Sequence, residues 1–281
     1  MANVLIVSNC QAAPLARCMN FRNAEVQCTG VTIEEFREDS NTVLGKSKFN
    51  VVLYSNELFV AALTEAGLSR SILKPFPAIT FTSYHPDICY VTGPSGRIFG
   101  PMGDYQSLAI LCGYKKGLVE PEIRDLFRKE IFASAGYLSR WESETVRLTS
   151  VFRNCGVDLS KYLPRWSRRG AFMHTINHPL IDCIFDLAGE ALLALGLSAA
   201  PERLTISDSF TDLPRWPVYP EIGEELGLPG HYQFLPGRAS RSVSLEALIK
   251  KSLAAYSAHD PGLLRVLPQF DVAFDKVMSA I

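Results

Sequence analysis

Val4-Leu5-Ile6-Val7-Ser8-Asn9-Cys10-Gln11 opens the chain with four uninterrupted apolar residues, three of them β-branched, followed at once by small and amide side chains. A short continuous apolar run that ends in a turn signal is the pattern of a strand covered on both faces, as in a parallel sheet. Working outward, Leu15 to Phe21 reads as a helix and Ala24 to Val31 as a second strand. Thr32 with Glu35 makes a capping box opening a helix over Ile33 to Arg37. Phe49 to Tyr54 is the third strand, and Pro77 to Ser83 is expected to be the fourth. The expected fold class is therefore α/β. An open parallel sheet of about four strands with flanking helices occupies residues 1–90, and a mainly helical half, 91–281, packs on it within a single domain.

Later segments carry helix signals. Val91 to Gly103 reads as a Gly/Pro-rich loop, with Asp104 expected to cap a helix over Tyr105 to Tyr114. Pro121 has first-turn character, Ser139 with Glu142 forms another capping box, and Leu180 to Leu197 and Ser244 to Tyr256 read as helices. Residues 201–241 look irregular.

The 281 residues suffice for a sizeable core. With 47% hydrophobic and 20% charged residues, disordered and collagen-like chains are excluded. Twenty-eight Lys and Arg against 29 Asp and Glu leave a net charge of -1, so no global field favours nucleic acid or anionic lipid. The richest apolar window, Ala191 to Ala200, is about half of the ~18 residues a membrane span requires. The N-terminus lacks a basic region and a long apolar stretch, so a cytoplasmic location is expected. Seven cysteines without CxxC spacing indicate neither a disulfide framework nor zinc. His174 and His178 lack the glutamate of HExxH, so no metal is expected.

In an open parallel sheet, ligands bind beyond the carboxyl ends of the strands. Three sets of residues fall there: Ser8-Asn9-Cys10-Gln11, Ser55-Asn56 and Tyr84-His85-Pro86-Asp87. Cys10 lies at a strand-to-helix turn, where backbone N–H groups and the helix dipole favour the thiolate. The competing reading is a buried structural cysteine. Pro86 holds His85 out of helical conformation, which suits a proton shuttle or an ordinary loop histidine. Asp87 either orients the ring or caps the next turn. Lys161, Arg165, Arg168 and Arg169, interleaved with Tyr162 and Trp166, form the one basic cluster, suited to phosphates or to a solvated turn. Neither a GxGxxG after the first strand nor a Walker A sequence is present.

Five short segments in order give the chain a family resemblance: Ser8-Asn9-Cys10-Gln11, Tyr84-His85-Pro86-Asp87, Gly103-Asp104-Tyr105-Gln106-Ser107, Phe172 to Pro179, and Trp216-Pro217-Val218-Tyr219-Pro220. The chain resembles the capsular polysaccharide biosynthesis family typified by WcbI, departing from its pattern at Ser8 and Gln106. The resemblance implies a coenzyme A-dependent acyltransferase that moves acetyl from acetyl-CoA to a hydroxyl of a carbohydrate or nucleotide-sugar acceptor. It implies Cys10 as the active-site thiol and His85 as the base. Gln11 joins them as an expected oxyanion stabiliser, with Asn56 as the alternative donor. Asn56, Arg165, Arg168, Arg169, Asn177 and His178 form the expected coenzyme-binding set. Two rival readings remain: an SGNH-like thiol esterase, since the order of nucleophile, Asn and later His is similar, and a non-catalytic glycan- or nucleotide-binding protein.

Overall fold

The computed structural model describes residues 2–45, 48–200, 206–237 and 241–281. By contact, the chain divides into two compact units, each assembled from separate stretches. The first comprises Met1–Thr80, Val146–Phe172 and Asn177–Ser209; the second comprises Phe81–Thr145, Met173–Ile176 and Phe210–Ile281.

The first unit holds the parallel sheet. Its elements begin β1 (Ala2–Ser8), α1 (Ala12–Arg22), β2 (Val26–Thr32), α2 (Ile33–Glu38), α3 (Ser40–Gly45), β3 (Val51–Tyr54), α4 (Phe59–Glu65) and β4 (Leu73–Pro75). The strand order is β2-β1-β3-β4, all neighbours parallel. Val4 to Val7 are at most 2% exposed, which is why the run is apolar on both faces. Each such side chain contributes roughly 1.5–3 kcal/mol by burial. On one face Leu5 and Val7 pack with Ile33, Phe36, Val52, Tyr54 and Leu63. On the other, α1 lies against β2 and against the helix Ile181–Ala194. The capping box forms as expected: Glu35 N–H donates to Thr32 Oγ1 (3.1 Å), and Thr32 N–H to Glu35 Oε2 (2.7 Å).

The fourth strand is not where the sequence suggests. Leu73–Pro75 pairs with β3, whereas Pro77 to Ser83 joins no ladder. Pro77 lacks an N–H, and the backbone groups of Ile79 are taken by a side chain, that of Gln11.

The second unit is built around an antiparallel strand, β5 (Ile88–Gly93), which pairs with β6 (Gly96–Arg97), β7 (Tyr105–Ser107) and the short strand Arg265–Val266. Helices Leu108–Lys115, Leu245–Tyr256 and Asp271–Ala280 pack together beside it. Tyr105 is thus in a strand rather than a helix. The cap of Leu108–Lys115 is Ser107, whose Oγ accepts from Ile110 N–H (3.1 Å), in place of Asp104. Ser244 caps Leu245–Tyr256. Of the stretch expected to be irregular, residues 201–205 and 238–240 lie outside the described residues; the remainder includes the helix Pro220–Leu226.

Candidate active site

The strand order locates the first cluster. From β1 the connections run to opposite sides of the sheet, so the carboxyl end between β1 and β3 is the topological switch point where ligands bind in open α/β sheets. Cys10 follows β1 and Asn56 follows β3, so both stand on this edge.

Cys10 lies on the turn into α1 and is half-buried. The turn is shaped by Asn9, whose Oδ1 accepts from Gln11 N–H (3.0 Å) while its carbonyl accepts from Ala12 N–H (3.0 Å). The approach of α1 to the sheet depends on Gly30 of β2: a Cβ there would stand 2.2 Å from the Ala12 carbonyl oxygen. The sulfur is 3.9 Å from the Asn177 carbonyl oxygen and 3.9 Å from Asn177 Nδ2. As a thiol it can donate to the carbonyl; as a thiolate it can accept from the amide. Gln11, 3% exposed, donates from Nε2 to Ile79 O (2.7 Å) and to Asn177 O (2.8 Å), and accepts from Ile79 N–H through Oε1 (2.9 Å). One buried amide thus ties the thiol's neighbour to the segment after β4.

The other cysteines are chemically quieter. Burial pushes the thiols of Cys18 and Cys28 up to about 12, and raises those of Cys89, Cys112 and Cys183 as well. Cys155, half-buried, is also raised by desolvation.

The rest of the expected coenzyme set in this unit is distributed as follows. Asn56 is exposed, with Oδ1 accepting from Leu58 N–H (2.9 Å). His178 is buried, two residues before Leu180 leads into helix Ile181–Ala194. Arg165 is paired with Asp186, a carboxylate that also accepts from Trp166 Nε1 (2.8 Å). Arg169 meets Asp182 at 2.6 Å with both side chains exposed. Arg168 has no acidic partner among the described residues.

In the second unit His85 is 1% exposed. Its Nε2 lies 3.3 Å from the Met173 carbonyl oxygen, which can only accept, so Nε2 carries the proton and Nδ1 is the basic nitrogen. Nδ1 is buried and has no hydrogen-bond partner among the described residues. Burial, with a smaller contribution from His174, lowers the ring's pKa to about 3, so it is neutral at physiological pH.

Asp87 does not orient His85. It is a buried hub: Oδ1 accepts from Ala109 N–H (2.9 Å) and Tyr137 OH (3.0 Å), and Oδ2 from Tyr219 OH (2.8 Å). Tyr219 in turn accepts from Trp216 Nε1 (3.0 Å). Desolvation outweighs these bonds and raises the carboxyl to about 6. Nor does Asp87 cap the next turn: the N–H it accepts from is that of Ala109, 22 residues on, and Tyr137 carried no signal in the sequence.

A family model for the polysaccharide biosynthesis enzyme WcbI matches residues 3–200, spanning the sheet, the Cys10 turn, the His85 segment and the stretch through Asn177. The chain belongs to the WcbI family. Membership places it among polysaccharide biosynthesis enzymes. A solved WcbI structure, described as native protein without a disulfide bond between CoA and one of its cysteines, matches with a TM-score of 0.66 at 15% identity over 99% of this chain and 95% of that one. At that identity the likeness is one of fold. No curated protein sequence matches the chain. Among the described residues of this WcbI-family chain, no helix is long and apolar enough to cross a membrane, and no cluster of three metal-ligating side chains occurs.

Proposed function

We propose that the chain transfers an acetyl group from acetyl-CoA to a hydroxyl of a carbohydrate or nucleotide-sugar acceptor in capsular or surface polysaccharide assembly. The observation that carries this reading is Cys10, a half-buried thiol at the switch point of a parallel sheet with the Asn177 amide at its sulfur. Family membership supports a polysaccharide substrate, and the pairing of CoA with a cysteine in the solved relative supports a coenzyme sulfur beside a protein thiol.

In the proposed reaction the acceptor oxygen attacks the thioester carbon. A carbon–oxygen bond forms, the carbon–sulfur bond breaks, and the hydroxyl proton ends on the departing coenzyme thiolate; His85 is retained as the proposed base. His85 suits this role because its Nδ1 is an unsatisfied buried acceptor, which costs about 1–3 kcal/mol. A substrate hydroxyl would satisfy that nitrogen. Cys10 and Asn177 hold the sulfur end of the coenzyme, and Gln11 positions Asn177. For the coenzyme phosphates, Arg168 and Arg169 are the proposed contacts, and Asn56 and His178 are proposed to complete the binding set. The exposed Arg169–Asp182 pair is worth about 0–1 kcal/mol and is readily exchanged. Arg165 is held by Asp186 and supports the helix.

The test is acetyl-CoA turnover against a panel of free hexoses and nucleotide sugars, with equilibrium dialysis of CoA and rapid-quench intact-mass analysis. Expected are CoA release only with acceptor, no acetyl adduct on the protein, and weakened CoA binding in Cys10→Ala. Equal release without acceptor would establish the esterase instead; no CoA binding at millimolar concentration would end the proposal.

A further inference from the structure

We propose that the second unit contains a phosphate-binding site, formed where the turn at Gly136 meets the start of helix Arg140–Arg153 and the side chain of Lys276. A cavity of about 260 Å³ there is lined by Gly136, Ser139, Arg140, Ser143, Glu144 and Lys276. None of these side chains is apolar: two cations, two hydroxyls and one carboxylate surround a glycine. Neither Arg140 nor Lys276 forms an ion pair among the described residues, in contrast to Arg165 and Arg169, which are matched by Asp186 and Asp182. Two cations without carboxylate partners facing one polar cavity are an anion-binding arrangement, and a fork of guanidinium donors with hydroxyls suits the oxygens of a phosphate.

The rest of the geometry agrees. Glu144, the one carboxylate, has Oε2 turned to the backbone, accepting from Thr82 N–H at 2.9 Å. Gly136 has φ of 74°, and a Cβ on it would lie 3.7 Å from Lys276 Nζ, so the missing side chain leaves the ammonium standing over the turn. Arg140 also donates from Nη1 to Thr82 Oγ1 (3.2 Å), so the cavity wall continues into the segment three residues before His85. A phosphate bound by Arg140 would bear on the turn that carries the imidazole.

Two chemical sources share this group, a phosphorylated acceptor and a nucleotide-linked sugar; the nucleotide end of coenzyme A, assigned above to Arg168 and Arg169, is the third arm of the test. Titrations of inorganic phosphate, uridine diphosphate and adenosine 3′,5′-bisphosphate at low ionic strength, followed by calorimetry or phosphorus NMR, separate them. We expect at least one probe to bind with strong salt dependence and to lose tenfold or more in affinity in Lys276→Ala. Lys276→Arg should retain binding, and Lys251→Ala, an exposed lysine elsewhere in the second unit, should leave it unchanged. The probe that loses most identifies the source. Lys276 is exposed, so the variant folds, as thermal unfolding will verify. Absence of binding by all three at millimolar concentration, or equal affinities in wild type and Lys276→Ala, overturns the site. Because the readout is binding without turnover, it stands or falls separately from acetyl transfer.

Discussion

Gln11 completes the hydrogen bonding of Ile79 from 68 positions away, donating to its carbonyl oxygen at 2.7 Å and accepting from its N–H at 2.9 Å. A side-chain amide here replaces a strand neighbour, and the same amide nitrogen holds the carbonyl of Asn177 beside the Cys10 sulfur. Substitution Gln11→Ala leaves the two buried backbone groups of Ile79 without this partner, each costing about 1–3 kcal/mol, and removes a donor from the half-buried Asn177 carbonyl. Gln11→Glu is expected to be nearly as damaging, because a carboxylate can accept from Ile79 N–H but cannot donate to either carbonyl. Urea unfolding of both variants checks this; stability within about 0.5 kcal/mol of wild type would refute the bridging role.

Gly30→Ala should displace the thiol without touching it. The new Cβ would meet the Ala12 backbone at 2.2 Å, and backbone cannot step aside as a flexible side chain can. Overpacking of this kind costs roughly 1–3 kcal/mol. The expected outcome is a lower unfolding midpoint together with an altered rate of Cys10 alkylation by iodoacetamide, read by peptide mapping. An unchanged rate would show that Gly30 does not set the turn.

His85 and Asp87 should give opposing pH dependences. The His85 pKa falls from 6.5 to about 3 on folding, so its contribution to stability is full above 6.5 and is lost as pH falls toward 3. The Asp87 pKa rises from 3.8 to about 6, so its contribution is full below 3.8 and is lost as pH rises through 6. Relative to wild type, His85→Gln should flatten the decline of stability with acid and Asp87→Asn should steepen it between about pH 4 and 6. At about 1.4 kcal/mol per pKa unit each effect is on the order of a few kcal/mol. Denaturant titrations of the three proteins across that range decide the matter; matching slopes would contradict both assignments.

The arginines of the basic cluster should separate by burial. Arg169→Ala removes an exposed pair and should change stability by less than about 1 kcal/mol. Asp186→Ala strips a carboxylate that holds both Arg165 and the Trp166 indole, and should cost about 1.5–3 kcal/mol. Thermal unfolding of the pair of variants tests the ranking, and the reverse order would mean that the Asp186 contacts do not anchor the helix.

Local pattern accounts for much of the first unit. The apolar run Val4 to Val7, the box at Thr32 and Glu35, and the stretch ending at Tyr54 each settle into the expected element, because strand burial and helix capping depend on neighbours a few residues apart. The misplaced fourth strand shows the limit of such reading. Pro77 to Ser83 has the composition of a strand, but its hydrogen bonds are claimed by residues distant in sequence. In the second unit, Tyr105 to Ser107 carries helix-like neighbours yet pairs with β5, since ladder formation with a distant strand outweighs weak local preference.

By itself, then, the amino-acid sequence determined that a parallel strand ends at Ser8 and hands a cysteine to the start of a helix. It also singled out Asn177 and His85 as polar residues in segments worth inspecting. Only the tertiary structure decided that the order β2-β1-β3-β4 makes that strand end a switch point, that Asn177, 167 positions away, meets the sulfur, and that Met173 fixes the proton of His85 on Nε2. The reason is physical: periodicity and capping are short-range, whereas strand order and side-chain encounters across the chain follow from how buried surfaces and polar groups are satisfied together once the segments pack.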